Sequence, residues 1–436
     1  MVVKGELVSK DTIKPSSPTP DHLRNFKISL LDQLAPPSFY VPILLFYSAP
    51  DVTAFGINFK TISNKLKASL STILTLYYPF CGRLKGNSSV ECNDEGVLFV
   101  EYKFSTELSN ILKSPQLHEI NELFPFDPYN PPAEHNENMA IQLNEFRCGG
   151  IALGVCFSHK IADGSTAASF LNAWASTSKG QGNNIVAPAQ LEEATQLFPP
   201  RNIEMDMTRG LVGHKNLVTK RLVFYESDIS RLKQKLGCFN FNPTRVEAVT
   251  ALIWKSSLEA AKATSGEQKC PASIMVHAVN IRSRMAPTLS KHSIGNLWQP
   301  AVSSLVEVSG EIRLHDLAEI VRKTIRKVDG DYISKLQGAE FFKVINSLES
   351  WVMAAEKGIP CHGFSSWIKF EFYEADFGWG KPTYVRTIGV PIKNVVILMA
   401  TKDGDGIEAW VTLTTRDMLE FERNPQLLEF SSLDFN

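Results

Sequence analysis

Apolar positions along the chain alternate between two periods. From Ile62 to Tyr77, the residues Leu66, Leu70, Ile73, Leu74 and Tyr77 fall on one helical stripe that Pro79 and Gly82 bring to an end. A helix is predicted there. Val90 to Phe104 predicts a hairpin turning through Asn93-Asp94-Glu95-Gly96. A second hairpin is predicted from Met139 to Phe146 and Ile151 to Ser158, around Arg147-Cys148-Gly149-Gly150. Its second strand sends Ile151, Leu153, Val155 and Phe157 to one face, and Gly154, Cys156 and Ser158 to the other. The strand ends at His159, and a helical pattern resumes from Ser165 to Trp174 through Ala167 and Phe170. His159 and Asp163 therefore fall at a strand-to-helix junction.

Between Asn183 and His214 the pattern dissolves into polar sequence containing Pro188, Pro199 and Pro200. Beyond it, Leu217 to Tyr225 predicts a strand and Ser227 to Leu236 a helix with a serine start and a Gly237 stop. Helices are also predicted from about Thr244, in TRVEAVTALIWKSSLEAA, and from Leu314 to Val328 with Leu317, Ile320, Val321 and Val328 inward. Asn394 to Ala400 and Ile407 to Leu413 flank Asp403-Gly404-Asp405-Gly406, a hairpin signal. Strands and helices mix without a fixed-period repeat, which predicts a mixed α/β protein. The expected division is a first domain over residues 1–190, a crossover over 191–215 and a second domain over 216–436.

Composition narrows the function classes. The 436 residues are 44% hydrophobic and 21% charged, as in soluble globular chains. Forty-five Lys+Arg against 46 Asp+Glu leave a formal net charge of -1, so no global field favours nucleic acid or an anionic membrane. The seven cysteines form no C-x-x-C pair, which argues against a zinc site or a disulfide framework and fits reduced thiols in the cytosol. The N-terminus MVVKGELVSKDTIKPSSPTP lacks the apolar stretch of a secretory signal, and no run of about 18 apolar residues suggests a membrane span. A cytoplasmic protein is expected, and the sequon at Asn87 is then uninformative.

Two constellations carry candidate chemistry. In Ser158-His159-Lys160-Ile161-Ala162-Asp163-Gly164, Asp163 can cap the next helix beside a partly buried histidine, or the pair can hold a metal, for which no third ligand lies nearby. The catalytic alternative draws on placement. A strand end is rigid, and Gly149, Gly150, Gly154, Ala162 and Gly164 leave room around the imidazole. A neutral imidazole can take a proton from an alcohol, so His159 is a candidate general base. The second constellation is Asp376-Phe377-Gly378-Trp379-Gly380-Lys381-Pro382, which reads equally as a glycine-rich turn around a packed indole. Asn280-Ile281-Arg282, Gly295-Asn296 and Tyr78-Pro79-Phe80-Cys81-Gly82-Arg83-Leu84 each look structural alone.

Together these residues resemble the BAHD superfamily of plant acyl-CoA-dependent acyltransferases, in the right order over nearly the whole chain. SHKIADG looks like its His-x-x-x-Asp-Gly motif, ADFGWGKP like its second signature, and YPFCGRL like its YPLAGRL block. Phe80 and Cys81 depart from that block, and Phe157 stands where the family has Leu before the motif's serine. The opening PSSPTPDHLRNFKISLLDQL looks most like the alkaloid acetyltransferase branch, and the Tyr-Phe-Gly-Asn-Cys element of anthocyanin malonyltransferases is missing.

The resemblance implies two similar-sized domains related to chloramphenicol acetyltransferase, with a solvent channel between them. CoA would enter from one face and the acceptor from the other. It implies His159 as base, Asp163 paired with Arg282, and Trp379 as an oxyanion donor. Gly164 and Gly378 would be structural supports. Asp376 stands beside the His as an essential residue, or in a structural role given its distance from the channel in relatives. Lys255 is a candidate cation for CoA phosphates, and Arg416 or Arg423 for a malonyl carboxylate. No permanent cofactor is implied. Acetyl-CoA or malonyl-CoA is the co-substrate, a small-molecule alcohol, foremost an alkaloid, is the acceptor, and a monomer is expected. Two alternatives share the residues: a thioesterase or cyclase using the same base, and a non-catalytic paralogue that binds a small molecule.

Overall fold

The computed structural model describes the chain except for residues 1–4, 37, 50–57, 114–119, 181–190, 204–212, 214, 238–241, 266–271, 308–309 and 434–436. Cys238, Cys270 and most of the 183–214 crossover lie outside the described residues. Helices and strands mix throughout, as the two interleaved periods predict.

The first sheet has six strands in the order Glu6–Ile13, Val97–Phe104, Met139–Phe146, Ile151–Ser158, Tyr40–Tyr47 and Tyr384–Arg386. Its central strands are buried on both faces, as their near-continuous apolar runs require. Ile151, Leu153, Val155 and Phe157 point into one core, together with the inward stripes of the helices Phe59–Leu74 and Gly164–Ser178. Ala152 and Cys156 point into a second core on the opposite face. The hairpin predicted around residues 147–150 pairs in register, with Met139 opposite Phe157.

The second sheet runs Trp298–Val302, Ala272–Asn280, Cys361–Ser366, Val395–Ala400, Ile407–Thr414, Leu217–Phe224 and Ser432–Leu433, with Val306–Glu307 beside Ala272–Asn280. The helix Arg245–Ser265 packs its apolar side against this sheet. Its start is fixed by a reciprocal cap. The Thr244 backbone N–H donates to Glu247 Oε2 at 2.8 Å and the Glu247 N–H to Thr244 Oγ1 at 3.2 Å.

Three expectations change. Ser89–Glu91 does not pair with Val97–Phe104. It joins Asn25–Lys27 and Arg83–Lys85 in a separate three-stranded sheet. Asp94 (φ 55°) and Gly96 (φ 101°) swing the chain away between the two strands. The helix after Leu217–Phe224 begins at Glu226, capped by no side chain, so the predicted serine start is not used. The division at 216 is also crossed. Tyr384–Arg386 pairs with Tyr40–Tyr47, and Phe372, Phe377 and Trp379 belong to the first core. The second signature thus sits with the first half of the chain. In the crossover, Glu193–Leu197 is helical and Phe198 is buried beside Leu30 and Leu31, so this part is packed.

Candidate active site

The histidine strand ends against a fixed frame. The His159 N–H donates to Phe39 O at 2.9 Å, and its carbonyl accepts from Asn296 Nδ2 at 2.6 Å. Asn296 is itself held by Asp32, whose Oδ1 accepts the Asn296 backbone N–H at 2.7 Å and Nδ2 at 2.8 Å. Asp32 is buried, and burial raises its pKa despite the hydrogen bonds from Ser29 and Asn296. Lys160 is also buried, which pushes its pKa down to about 8; its ammonium donates to Gln33 O and Asn87 Oδ1. These bonds tie the 29–35 segment, which forms one cavity wall, to the histidine turn.

Four residues on, Asp163 caps the helix Gly164–Ser178, with Oδ1 accepting from the Thr166 N–H at 2.8 Å. Arg282 forks onto the same carboxylate, Nη1 to Oδ2 at 2.7 Å and Nη2 to Oδ1 at 3.1 Å. Arg282 also donates to the carbonyls of Ser293 and Gly295, and both partners are under 10% exposed. Asp163 is thereby turned toward Arg282 and is occupied structurally. Gly164 opens the helix where the rings of Phe370 and Trp367 lie closest. A Cβ there would stand 2.7 Å from Phe370 and 3.4 Å from Trp367.

A cavity of about 300 Å3 lies between the two sheets. Its walls include Tyr40 and Val41 from the first sheet, Val276, Ala278 and Gly363 from the second, and His159, Asp163 and Gly164 from the junction. The imidazole is half-buried, its Nδ1 is covered and has no hydrogen-bond partner among the described residues, and Nε2 is the nitrogen left to meet a substrate. Burial lowers the His159 pKa from its ordinary 6.5, outweighing the opposing pull of its own carbonyl, Asp163 and Asn296. The ring is neutral at physiological pH, the state a general base requires.

The second signature lies elsewhere. Trp379 is fully buried, stacked on Phe377 at 5.7 Å and edge-on to Tyr47 at 6.0 Å, and it is absent from the cavity wall. An indole embedded in the first core cannot reach an oxyanion in the cavity, so the donor role expected for Trp379 is corrected. Asp376 is likewise a clamp: its Oδ1 accepts the N–H groups of Gly378 and Gly380 at 2.8 and 3.0 Å, and its Oδ2 meets Lys179 at 2.8 Å. Burial would raise its pKa, but these partners hold it below the ordinary value. The turn needs glycine at 378, where φ is 106°. Lys255 pairs with Glu259 one turn along its helix and is not among the residues that line this cavity.

Sequence reasoning missed Ser365, Trp367 and Trp351, all on the wall. Ser365 is near the end of the strand Cys361–Ser366, and Trp367 follows it. The Trp367 Nε1–H donates to Ser365 Oγ at 3.1 Å, a bond in which the serine hydroxyl accepts and its own hydrogen is not used.

The chain matches the model of the Transferase family over residues 3–428. The chain belongs to the Transferase (BAHD) family. This BAHD enzyme is an acyltransferase by family. It is 36% identical to the limonoid 1-O-acetyltransferase of Citrus sinensis over 98% of each chain. It is also 36% identical to the stemmadenine O-acetyltransferase of Catharanthus roseus over 96% of each. The crystal structure of vinorine synthase matches with a TM-score of 0.85 and 34% identity, covering 99% of this chain and 100% of that one. No helix among the described residues is long and apolar enough to cross a membrane.

Proposed function

We propose that the protein transfers an acetyl group from acetyl-CoA to a hydroxyl of a plant specialised metabolite, with His159 as general base. The observation that carries this reading is the half-buried His159 imidazole at a strand end, on the wall of a cavity shared by both sheets. The acceptor oxygen attacks the thioester carbonyl while His159 Nε2 takes the hydroxyl proton. The oxyanion collapses, the C–S bond breaks, and the thiolate of CoA recovers the proton from the imidazolium. A thiolate, with a parent pKa of about 8.5, leaves far more readily than an alkoxide, so no further acid is needed. Ser365 Oγ–H, oriented by Trp367, takes the oxyanion role in place of Trp379. Such a donor is typically worth about 3 to 4 kcal/mol.

A neutral acyl group fits the walls better than a malonyl group. Among the described lining residues there is no Lys or Arg. Arg416 donates to the Thr264 carbonyl and Arg423 pairs with Glu420 at 3.3 Å, so neither is on that wall. Alkaloid and limonoid alcohols are the acceptor classes suggested by the relatives' names. Incubating the enzyme with acetyl-CoA and malonyl-CoA against both alcohol classes, with mass analysis of products, tests the reading. Acetylated product supports it. Rapid CoA release without an acceptor would instead favour a thioesterase.

A further inference from the structure

Resting on that acyltransferase reading, we infer that Asn280 recognises the acceptor, its side-chain N–H donating to an oxygen on the carbon next to the reacting hydroxyl. The strand Ala272–Asn280 gives its placement. Val276, Ala278 and Asn280 alternate along that strand and all form cavity wall, so the Asn280 side chain stands on the cavity face. Arg282 gives its orientation. The Arg282 backbone N–H donates to Asn280 Oδ1 at 3.0 Å, and Arg282 Nη1 lies 3.5 Å from the same oxygen. Both arginine groups can only donate, so the amide oxygen faces them and Nδ2 is turned the other way. Asn280 is half-buried, and its Nδ2 keeps open surface and has no hydrogen-bond partner among the described residues. A fixed donor is thus presented to the cavity.

That donor stands at the histidine end. Asn280 is directly opposite Trp298 in the strand pairing, and the half-buried Trp298 ring is 6.5 Å from the His159 imidazole. The arginine that orients the amide also holds Asp163, four residues beyond His159. Base and donor therefore share one frame. Ser365 serves a different oxygen, because it is paired with Ala278, two residues and about 7 Å along the strand from Asn280. With the thioester oxygen at Ser365, the oxygen that meets Asn280 belongs to the acceptor, close to the hydroxyl held by His159. An acceptor without that oxygen displaces water from Nδ2 and leaves the donor unpaired, so the site discriminates against it. Asn280 touches substrate for recognition, and the proton transfer remains with His159.

Matched acceptors test this with the full-length enzyme and acetyl-CoA. Each pair is an alcohol with a ketone on the neighbouring carbon and the same alcohol with a methylene there, one pair on a limonoid skeleton and one on an alkaloid skeleton. Asn280→Ala removes the donor, and Asn280→Asp removes it while keeping an oxygen for the Arg282 N–H. Asn280→Ala should raise KM for the keto alcohol about tenfold, with its kcat, both constants for the deoxo alcohol and the KM for acetyl-CoA near the parent values. Asn280→Asp should lose the same preference while its melt stays near the parent's. A loss in Asn280→Ala that is equal on both alcohols would overturn the inference, as would a preference restored by Asn280→Asp or an effect confined to the KM for acetyl-CoA. The ratio between the two alcohols is read within one preparation, so it holds even where a variant folds poorly. Failure of the parent enzyme to acetylate any probe while CoA binds would overturn the acyltransferase reading itself.

Discussion

Replacing Arg282 with alanine probes how the histidine junction is held. In the native structure the guanidinium makes two bonds to Asp163 and further ones to the carbonyls of Ser293 and Gly295, with both charged partners under 10% exposed. Removal strands the Asp163 carboxylate with one remaining backbone donor, the Thr166 N–H. Breaking a buried pair in this way costs about 3 to 5 kcal/mol, and burial this deep calls for no solvent discount. Urea and thermal melts should both shift, and a cycle with Asp163→Ala should return a coupling of about 1 to 3 kcal/mol. Because Asp163 and Gly164 form cavity wall beside His159, kcat should fall as well. A thermal melt moved by less than about 2 °C, the shift expected of a lesion near 1 kcal/mol in a large domain, would refute the claim that this pair holds the junction.

Other outcomes follow from the same structure. Since burial depresses the His159 pKa, kcat/KM should be flat above pH 6.5 and fall only below it, and an acid-limb midpoint above 7 would contradict the assignment. His277 and His362 are buried, with pKa values lowered to about 4 and about 3. The unfolded chain binds their protons first, so stability is full above pH 6.5 and falls by up to about 1.4 kcal/mol per pH unit for each as pH drops toward those values. His362→Gln should flatten that decline. Asp376→Ala should lower stability by about 2 kcal/mol through loss of two N–H partners and Lys179, with kcat/KM near the parent value. A kcat loss above a hundredfold with an unchanged melt would show that Asp376 acts on the chemistry.

What could be read from the chain depended on the range of the interaction. The helix Phe59–Leu74 and the hairpin of Met139–Phe146 with Ile151–Ser158 were legible because their apolar periods are local. The pairing of Arg386 with Leu44 was not, since nothing near either residue encodes a partner over three hundred positions away. The same limit explains Trp379. Flanking glycines mark a tight turn, but whether the indole faces a core or a cavity depends on Tyr47 and Phe377 packing against it. His159, Asp163 and Arg282 were found through motif resemblance, and their geometry then explains the roles of the last two. Trp351 and Ser365 carry no local signal, and both become visible only when the second sheet and its helix close the cavity.

Removing the imidazole tests the central claim most directly. His159→Ala should retain the parent melt and CoA affinity by calorimetry, while steady-state acetyl transfer falls by a factor of about 10² to 10⁴, the usual contribution of a general base. Transfer within a few-fold of the parent rate would contradict the account.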